Sequence, residues 1–310
     1  MIIEKNFQSI ILSGAYGYFG SIAYEYFKSK GCTVYRAARR LDSDYQFDLN
    51  QPEKFPKLET GKSVNVFIHA AAANENGCRE KPYESVSQNV IGTKAALDFC
   101  VANNIKHFVY ISTFHVFGDH TGYIDELTSP KPQNDYGLSH LQAEEYVQMY
   151  TRLGYIKGLV IRPSNLFGVP EDLINFKRWT LVPFAFCKEA VKFGEIRLNS
   201  PGLQERNFVS ILDVCKVIYE AISKCEKYPL LHIPGPETMN IKDLANLVQT
   251  VMNKYYQTQI TVKIPESTSA FPSEKLNFRS IYLDTIYKPV DKIEQHIIQL
   301  CGKLRGDKYV

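Results

Sequence analysis

The sequence predicts an α/β protein built on a doubly wound parallel sheet, with a smaller lobe added after it. Two observations lead to this prediction. Short, nearly all-apolar runs alternate with helical patterns through the first half of the chain, and this alternation breaks after Gly168. Parallel strands need a crossover between them, usually a helix, and strands that are apolar throughout fit a sheet covered on both faces.

Strands and helices follow one another in the part of the chain before that break. The expected strands span 9–12, 33–37, 64–68, 108–111 and 159–161. The expected helices span 21–30, about 85–103 and 136–153. Because strands that alternate with helices form βαβ units, we assign residues 1–168 to one domain.

The second half of the chain is predicted to complete the sheet and to add the lobe. Residues 169–207 are interrupted by prolines and include an aromatic apolar segment. A helix and a strand then return to the sheet, which we expect to be completed by about 208–234. We assign residues 169–207 and 235–310 to the smaller lobe over the carboxyl edge of the sheet, with a helix at 241–253 and a strand at 260–264.

The composition is that of an ordinary globular protein, with 45% hydrophobic and 22% charged residues. The net charge is only +3, so we expect no nucleic-acid partner. No apolar run approaches the roughly 20 residues of a membrane span, and the first residues lack the plan of a signal peptide, so we expect no membrane partner. Seven scattered cysteines without a C-x-x-C pair predict reduced thiols, no metal site and a cytoplasmic protein.

A glycine-rich turn directly follows the first strand and opens the first helix. Glycine permits a tight turn and lets backbone N–H groups approach a pyrophosphate, which the positive end of the helix also attracts. The alternative is an ordinary glycine-rich turn, but the strand and the helix stand where the motif requires them. We therefore predict that the domain is of the Rossmann type and binds a dinucleotide. The cofactor contacts expected in the turn are Gly14, Tyr16, Gly17, Tyr18, Phe19 and Gly20.

The spacing G-x-x-G-x-x-G resembles that of short-chain dehydrogenases/reductases, and more of the chain agrees with the extended members of that family. These are NAD(P)-dependent nucleotide-sugar epimerases, dehydratases and reductases. His69-Ala-Ala-Ala72 ends the third strand as in those members, and Gln88-Asn89-Val-Ile-Gly-Thr93 is similar to their helix segment N-V-x-G-T. The resemblance implies cofactor contacts at Asp48, Leu49, Ala70, Ala71, Ala72 and Asn89, with Asp48 facing the adenine ring.

The end of the second strand bears on which dinucleotide is bound. An acidic residue there would bind the adenosine ribose hydroxyls, but the chain has no carboxylate before Asp42 and Ala38 stands at the expected position. Arg39 and Arg40 could instead hold a 2′-phosphate, since guanidinium groups bind phosphate in a bidentate manner. NADP is therefore the predicted cofactor and NAD the second choice, with two solvated loop arginines as the alternative interpretation.

Two segments resemble the catalytic motifs of the family. Ile111-Ser-Thr-Phe-His-Val-Phe-Gly118 is similar to S-[ST]-x-x-V-[YF]-G, which implies that Thr113 binds the substrate oxygen and that Ser112 lies at the cofactor. Tyr136-Gly-Leu-Ser-His140 stands where the family carries Y-x-x-x-K. The resemblance implies that Tyr136 is the acid/base that relays a proton at the carbinol while hydride moves to or from the nicotinamide.

The lysine of that motif is replaced by His140. Residues four apart share a helix face, so His140 can still lie beside Tyr136 and reach the nicotinamide ribose. A permanent positive charge is lost, however, and such a charge lowers the pKa of a tyrosine from about 10. Histidine has a reference pKa near 6.5 and supplies the charge only in acid or when its own pKa rises. Three interpretations stay open: a working enzyme, an enzyme with slow or altered chemistry, and a non-catalytic dinucleotide-binding sensor or scaffold.

Further segments indicate the substrate. Members that eliminate water from a sugar carry Asp-Glu where this chain has Phe114 and His115, which disfavours dehydration and leaves reduction or epimerisation. The segment from Arg162 to Gly168 resembles R-x-x-N-x-[YF]-G, which implies that Arg162 contacts the cofactor and Asn165 the substrate. The segment 204–213 resembles R-[DN]-[FY]-[VI]-x-[VI]-x-D, by which Arg206 would clamp a diphosphate.

Taken together, the resemblance implies a reductase or epimerase that acts on a nucleoside-diphosphate sugar, bound between the sheet and the smaller substrate-binding lobe. By analogy with extended members, it also implies a homodimer that packs through the helices at 85–103 and 136–153.

Overall fold

A sheet of seven parallel strands lies at the centre of the computed structural model, which describes residues 8–59, 63–118, 121–265 and 274–306. In chain order, the strands of the described residues, both inside and outside this sheet, are β1 (Ser9–Ser13), β2 (Thr33–Ala38), β3 (Tyr45–Gln46), β4 (Val66–His69), β5 (His107–Ile111), β6 (Gly122–Ile124), β7 (Lys157–Pro163), β8 (Asn165–Phe167), β9 (Glu195–Arg197), β10 (Glu205–Ser210), β11 (Leu230–Ile233), β12 (Glu237–Asn240), β13 (Thr261–Lys263) and β14 (Leu276–Phe278). The order in the central sheet is β3-β2-β1-β4-β5-β7-β11, with all neighbours parallel. The predicted doubly wound α/β fold is confirmed.

The helices cover both faces of this sheet and build the smaller lobe. They are α1 (Tyr18–Ser29), α2 (Glu75–Glu80), α3 (Pro82–Val86), α4 (Gly92–Ala102), α5 (Asp135–Arg152), α6 (Val182–Phe193), α7 (Ile211–Ala221), α8 (Ile241–Tyr256) and α9 (Ile293–Arg305). The helix predicted at about 85–103 consists of α3, a π-helical turn at Ser87–Ile91 and α4. The first helix begins three residues before the predicted position, because Gly17 already caps it.

Alternate residues of the buried strands face opposite sides of the sheet, as strand geometry requires. Ile10 and Leu12 of β1 pack with Phe27 in a core between the sheet and α1 and α7. Ile11 packs with Leu97 in a second core, on the side of α4 and α5. Both faces of the strands are therefore covered by helices, which explains why the strand sequences are apolar throughout.

The smaller lobe has an apolar core of its own, in which α6, α8 and α9 pack on one another. It begins where β7 passes into β8 at the carboxyl edge of the central sheet, and β8 pairs with β10, which pairs with β12. The predicted helix at 241–253 is α8, which continues to Tyr256, and the predicted strand at 260–264 is β13. The lobe is thus joined to the sheet at the edge where the motif residues lie.

Three further observations concern only the part of the chain that the structure describes. None of its helices is both long and apolar enough to cross a membrane. No group of three or more histidine, cysteine, aspartate or glutamate side chains is placed to hold a metal ion there. The cysteines are all buried, and none of them forms a disulfide bond within these residues.

Candidate active site

The glycine turn between β1 and α1 is packed so tightly that it excludes side chains. Gly14 has a φ of +71°, and a Cβ there would lie 2.8 Å from the backbone nitrogen of Ala71 and 2.9 Å from the backbone of Ala70. A Cβ on Gly20 would lie 2.1 Å from the carbonyl oxygen of Gly14. Gly17 caps the helix without a side chain, and the first N–H groups of a helix have no partner within it. The turn is therefore a cradle of backbone N–H groups that suits a phosphate.

The side chains of Tyr18 and Phe19 hold this turn in place. The Tyr18 hydroxyl donates a hydrogen bond to the carbonyl oxygen of Gly168 at 3.1 Å, and the Tyr18 ring packs edge-on against Phe176 and Phe184. The ring of Phe19 is buried in the core beneath α1. Both residues were predicted to contact the cofactor, and what they offer to a ligand in the turn is the backbone N–H.

The two arginines after β2 have different surroundings. Arg40 forms a bidentate ion pair with Asp42, at 2.8 and 2.9 Å, and lies 4.4 Å from the ring centre of Tyr16. This pair lowers the pKa of Asp42 and raises that of Arg40. Arg39 is exposed and forms no ion pair with any described residue. Arg40 is thus held in an ion pair, whereas Arg39 acts on the Glu84 carboxylate without forming an ion pair among the described residues.

Asp48 and Leu49 form a short turn beside the helix that follows the π-helical turn. The Asp48 carboxylate accepts hydrogen bonds from the backbone N–H of Asn50 at 3.0 Å and from the side chain of Gln51 at 3.3 Å. Leu49 is buried and packs closely against Gly92. A Cβ atom added to Gly92 would lie only 2.8 Å from the Cβ atom of Leu49. The Asp48 carboxylate is partly exposed next to this contact.

Asn89 fixes the loop that follows β4. Its side-chain oxygen accepts a hydrogen bond from the backbone N–H of Ala73 at 2.7 Å, and its amide donates to the Ser139 hydroxyl at 2.9 Å. Asn89 is buried, and its amide joins Ala73, the residue after the segment 70–72, to α5. The predicted cofactor contacts at 70–72 lie directly after β4, beside the glycine turn, and Asn89 acts on their position.

Tyr136 lies between two imidazole rings near the carboxyl end of β5. Its ring is edge-on to His115, with ring centres 5.6 Å apart, and edge-on to His140 at 4.7 Å. Thr113 follows β5, where its hydroxyl accepts a hydrogen bond from the backbone N–H of His115 at 3.2 Å and lies close enough to Tyr136 to lower the pKa of the phenol. The structure thus brings together the three residues predicted to carry the chemistry, Tyr136, Thr113 and His140.

His140 is a neutral group in this position. It is 2% exposed, and its Nδ1 atom is hydrogen-bonded to the Tyr110 hydroxyl at 2.7 Å. Burial lowers the pKa of His140 to about 3, so the ring carries no charge at neutral pH. Its Nε2 atom is buried and has no hydrogen-bond partner among the described residues. Buried polar atoms are nearly always hydrogen-bonded, so this unpartnered nitrogen is an exception.

The charge state of Tyr136 depends on groups from several parts of the chain. Burial is the main effect and raises the pKa of its phenol. The Arg178 guanidinium and the Thr113 hydroxyl lower that pKa, and the Glu75 carboxylate raises it. Arg178 belongs to the smaller lobe and Glu75 to α2 of the first domain. Charged groups from both parts of the chain therefore act on the pKa of the phenol.

Ser112 and Arg162 are both bonded to Glu144. The Ser112 hydroxyl donates to the Glu144 carboxylate, and the Arg162 guanidinium pairs with it at 2.5 to 3.2 Å. Arg162 is 3% exposed and also lies 5.2 Å from the ring centre of Phe117. A buried guanidinium needs such a carboxylate partner. The side chains of these two residues, predicted to lie at the cofactor, are therefore engaged within the protein.

The residues predicted to bind substrate lie where the smaller lobe meets the sheet. The Asn165 amide donates to the carbonyl oxygen of Asn207 at 2.9 Å and so ties β8 to β10. Arg206 on β10 is half-buried. Burial lowers the pKa of its guanidinium, whereas the negative charge of Glu75 raises it. Arg206 and Glu75 also act in opposite senses on the pKa of His115, which burial lowers. Arg206 and Tyr136 therefore share the neighbours Glu75 and His115.

Sequence motifs did not point to three charged residues of this site, Glu75, Glu144 and Arg178. Glu144 had a signal, because it stands one helical turn beyond His140 on the face that carries Tyr136. Glu75 and Arg178 had none, since both lie outside the segments that resemble family motifs.

One known protein family and several known proteins are similar to this chain. The model of the NAD dependent epimerase/dehydratase family matches residues 10–241. A putative UDP-glucose 4-epimerase of Methanocaldococcus jannaschii is 28% identical over 191 residues, which cover 61% of this chain and 61% of that protein. A dTDP-D-glucose 4,6-dehydratase of Mus musculus is 26% identical over 196 residues, which cover 61% of this chain and 53% of that protein. The chain thus matches less than two thirds of the length of either relative.

Solved structures give the same fold. RMD from Pseudomonas aeruginosa, complexed with NADPH, superposes with a TM-score of 0.79 and 17% identity, covering 96% of this chain and 99% of that one. At this identity the likeness establishes the fold.

Proposed function

This chain belongs to the NAD dependent epimerase/dehydratase family, and we propose that it is an enzyme that moves hydride at a carbinol or ketone carbon of a nucleoside-diphosphate sugar. The reaction would be a reduction or an epimerisation. One observation carries the proposal: the phenol of Tyr136 lies beside the Thr113 hydroxyl and the buried His140 ring, near the carboxyl end of β5. The glycine cradle opens at the same edge of the sheet, after β1.

The residues of this edge fit a nicotinamide dinucleotide. The cradle excludes side chains and presents backbone N–H groups to a pyrophosphate. The buried Nε2 atom of His140 has no partner among the described residues and would form a hydrogen bond with a ribose hydroxyl. Such a cofactor would supply the hydride acceptor or donor.

Tyr136 would exchange a proton with the oxygen of the reacting carbon, and the Thr113 hydroxyl would hold that oxygen by a hydrogen bond. Arg206 and Asn165 would bind the diphosphate and the sugar from the side of the smaller lobe. Phe114 and His115 provide no carboxylate at the position next to Thr113, so we do not propose elimination of water.

The proposal is tested by mixing the purified chain with a panel of nucleotide sugars and following the absorbance of reduced nicotinamide. Tyr136→Phe should lower turnover at least about 100-fold, the lower end of typical general-acid contributions. Tyr155→Phe, at an exposed tyrosine, is the matched control and should leave turnover unchanged. Full activity of Tyr136→Phe would refute the role of the phenol.

A non-catalytic sensor or scaffold is the second candidate, and the neutral state of His140 favours it because no cation stands at the position of the family lysine. That candidate predicts tight dinucleotide binding with no turnover on any sugar of the panel. A large gain in rate from His140→Lys would indicate an enzyme slowed by its histidine.

We propose NADP as the preferred cofactor, because Arg39 is exposed and forms no ion pair among the described residues, while Arg40 is paired with Asp42. A charged hydrogen bond to phosphate contributes about 1.5–3 kcal/mol, so Arg39→Gln should weaken NADP binding about tenfold or more and leave NAD binding unchanged. Arg40→Gln is the control with the smaller expected effect. Tighter binding of NAD than of NADP by the unmodified chain would reverse the preference.

We further propose a cytoplasmic homodimer. The buried cysteines, which form no disulfide among the described residues, fit a reducing compartment. Ile91, Val101 and Leu138 are apolar and exposed on or beside α4 and α5, the helices expected at the interface. Light scattering after gel filtration should give twice the mass of the chain, and the mass of a single chain would contradict the dimer.

A further inference from the structure

Two arginine–aspartate pairs lie against one tyrosine ring of the glycine turn. The ring is that of Tyr16, whose centre lies 4.4 Å from the Cζ atom of Arg40 and 5.1 Å from that of Arg36. Arg40 is paired with Asp42, and Arg36 is paired with Asp44. Both pairs therefore stand where β2 and the segment after it meet the turn that would receive a pyrophosphate.

The two pairs differ in how the carboxylate is used. The Asp42 carboxylate accepts hydrogen bonds from the Nε and Nη2 atoms of Arg40, at 2.8 and 2.9 Å. The Asp44 carboxylate accepts a hydrogen bond from the backbone N–H of Arg36 at 2.7 Å and lies 3.7 Å from the Nε atom of that residue. Asp42 thus occupies one edge of a guanidinium, whereas Asp44 is bound to the backbone.

Tyr16 holds both members of the Arg40–Asp42 pair beside the glycine turn. Its hydroxyl donates a hydrogen bond to the backbone carbonyl oxygen of Asp42 at 3.2 Å, and its ring lies under the guanidinium of Arg40. A cation over an aromatic face is attracted by the ring. The backbone N–H of Gly14 donates to the carbonyl oxygen of Ala37 at 3.0 Å, so the turn is also joined to β2. The pair is therefore fixed to the cradle by contacts from both of its members.

This pairing affects what Arg40 can offer to a phosphate. A guanidinium binds phosphate through the same planar fork that binds a carboxylate. A phosphate at Arg40 would either displace the Asp42 carboxylate or bind the remaining N–H groups close to it. In both cases the negative charge of Asp42 opposes the phosphate, because like charges repel at short range. A neutral ribose hydroxyl meets no such repulsion.

We propose that Asp42 is a specificity-determining residue, which weakens the binding of an adenosine 2′-phosphate at Arg40 and leaves the binding of an unphosphorylated ribose unchanged. This inference rests on the proposed binding of a nicotinamide dinucleotide at the glycine cradle. It assigns the two loop arginines different roles. Arg39 binds the 2′-phosphate without an ion pair to break, whereas the contribution of Arg40 is limited by its own carboxylate partner.

The test compares the dissociation constants of NADP and NAD by isothermal titration calorimetry, without turnover. Asp42→Asn removes the charge but keeps the size of the side chain and the backbone carbonyl that Tyr16 binds. NADP should bind about two- to fivefold more tightly to this variant, the range that exposed ion pairs contribute, and NAD should bind as before. Asp44→Asn, with the same loss of charge beside Arg36, is the matched control and should leave the ratio of the two constants nearly unchanged.

A double-mutant cycle tests whether Asp42 acts through Arg40. Arg40→Gln should weaken NADP binding more in the Asp42→Asn chain than in the unmodified chain, because the guanidinium is released from its partner only in the former. Two contacting groups that act together give such non-additive effects. An equal effect of Arg40→Gln in both chains would overturn the inference.

Other outcomes separate this inference from the proposed function. Weaker NAD binding with unchanged NADP binding in Asp42→Asn would make Asp42 a ligand of the ribose hydroxyls and would overturn its proposed role. Binding of both dinucleotides with a ratio that does not depend on Asp42 would reject only this inference. Failure of the unmodified chain to bind either dinucleotide would reject the proposed function, and the inference with it.

Discussion

Two polar clusters lie along one face of α5 and differ in whether their hydrogen bonds are complete. The paired cluster consists of Glu144 with Ser112 and Arg162, and its buried charges match each other. The open cluster consists of Tyr136 and His140, where a buried nitrogen has no partner among the described residues. Buried polar groups are nearly always hydrogen-bonded. We therefore expect the paired cluster to stabilise the fold and the open cluster to contact a ligand.

The largest effect is expected from breaking the paired cluster. Glu144→Gln would leave the buried guanidinium of Arg162 without its counter-charge, which should lower the free energy of unfolding by about 3–5 kcal/mol. Urea unfolding followed by circular dichroism measures this loss. Glu145→Gln, at the exposed neighbouring glutamate, should change it by no more than about 0.5 kcal/mol. Equal stability of both variants would mean that the paired cluster is not structural.

A smaller effect is expected from pH on the open cluster. The pKa of His140 is about 3 in the folded chain but about 6.5 when unfolded. The unfolded state therefore takes up a proton first, so stability falls as the pH drops from 6.5 towards 3 and is unaffected above that range. At pH 5.5 the loss is about 1.4 kcal/mol for this one group. His140→Phe should remove that part of the pH dependence, and an unchanged pH profile would contradict the neutral, buried state.

The smallest effect concerns the unpartnered nitrogen. His140→Leu removes one hydrogen bond to a bound dinucleotide, worth about 1 kcal/mol, and should weaken binding about fivefold. Isothermal titration calorimetry measures the change. Tyr110→Phe, which removes only the partner of Nδ1, serves as the control and should bind the dinucleotide nearly as the unmodified chain does. An unaltered affinity in His140→Leu would place the open cluster outside the cofactor site.

The same contrast shows how far the sequence could predict the molecule. The period of the apolar residues and the spacing of the glycines were sufficient for six strands of the central sheet and for its turn, because these features depend on local chemistry, but the two-residue strand β3 was missed. The helix α6 was missed, since Pro183 suggested an interruption, although proline in the first turn of a helix is favourable. Glu75 and Arg178 act on Tyr136 from distant segments, which no local pattern contains, whereas the helical spacing of Glu144 from His140 was a local signal.

The π-helical turn at Ser87–Ile91 sets a constraint on the length of the chain. Such a turn holds one residue more than an α-helix would over the same path, and each helical residue turns the chain by about 100°. Deleting one residue there would rotate α4 relative to Asn89 by that angle. With one residue fewer, the chain could keep either the hydrogen bond of the Asn89 amide to the loop after β4 or the packing of Leu97 in the core. It could not keep both contacts.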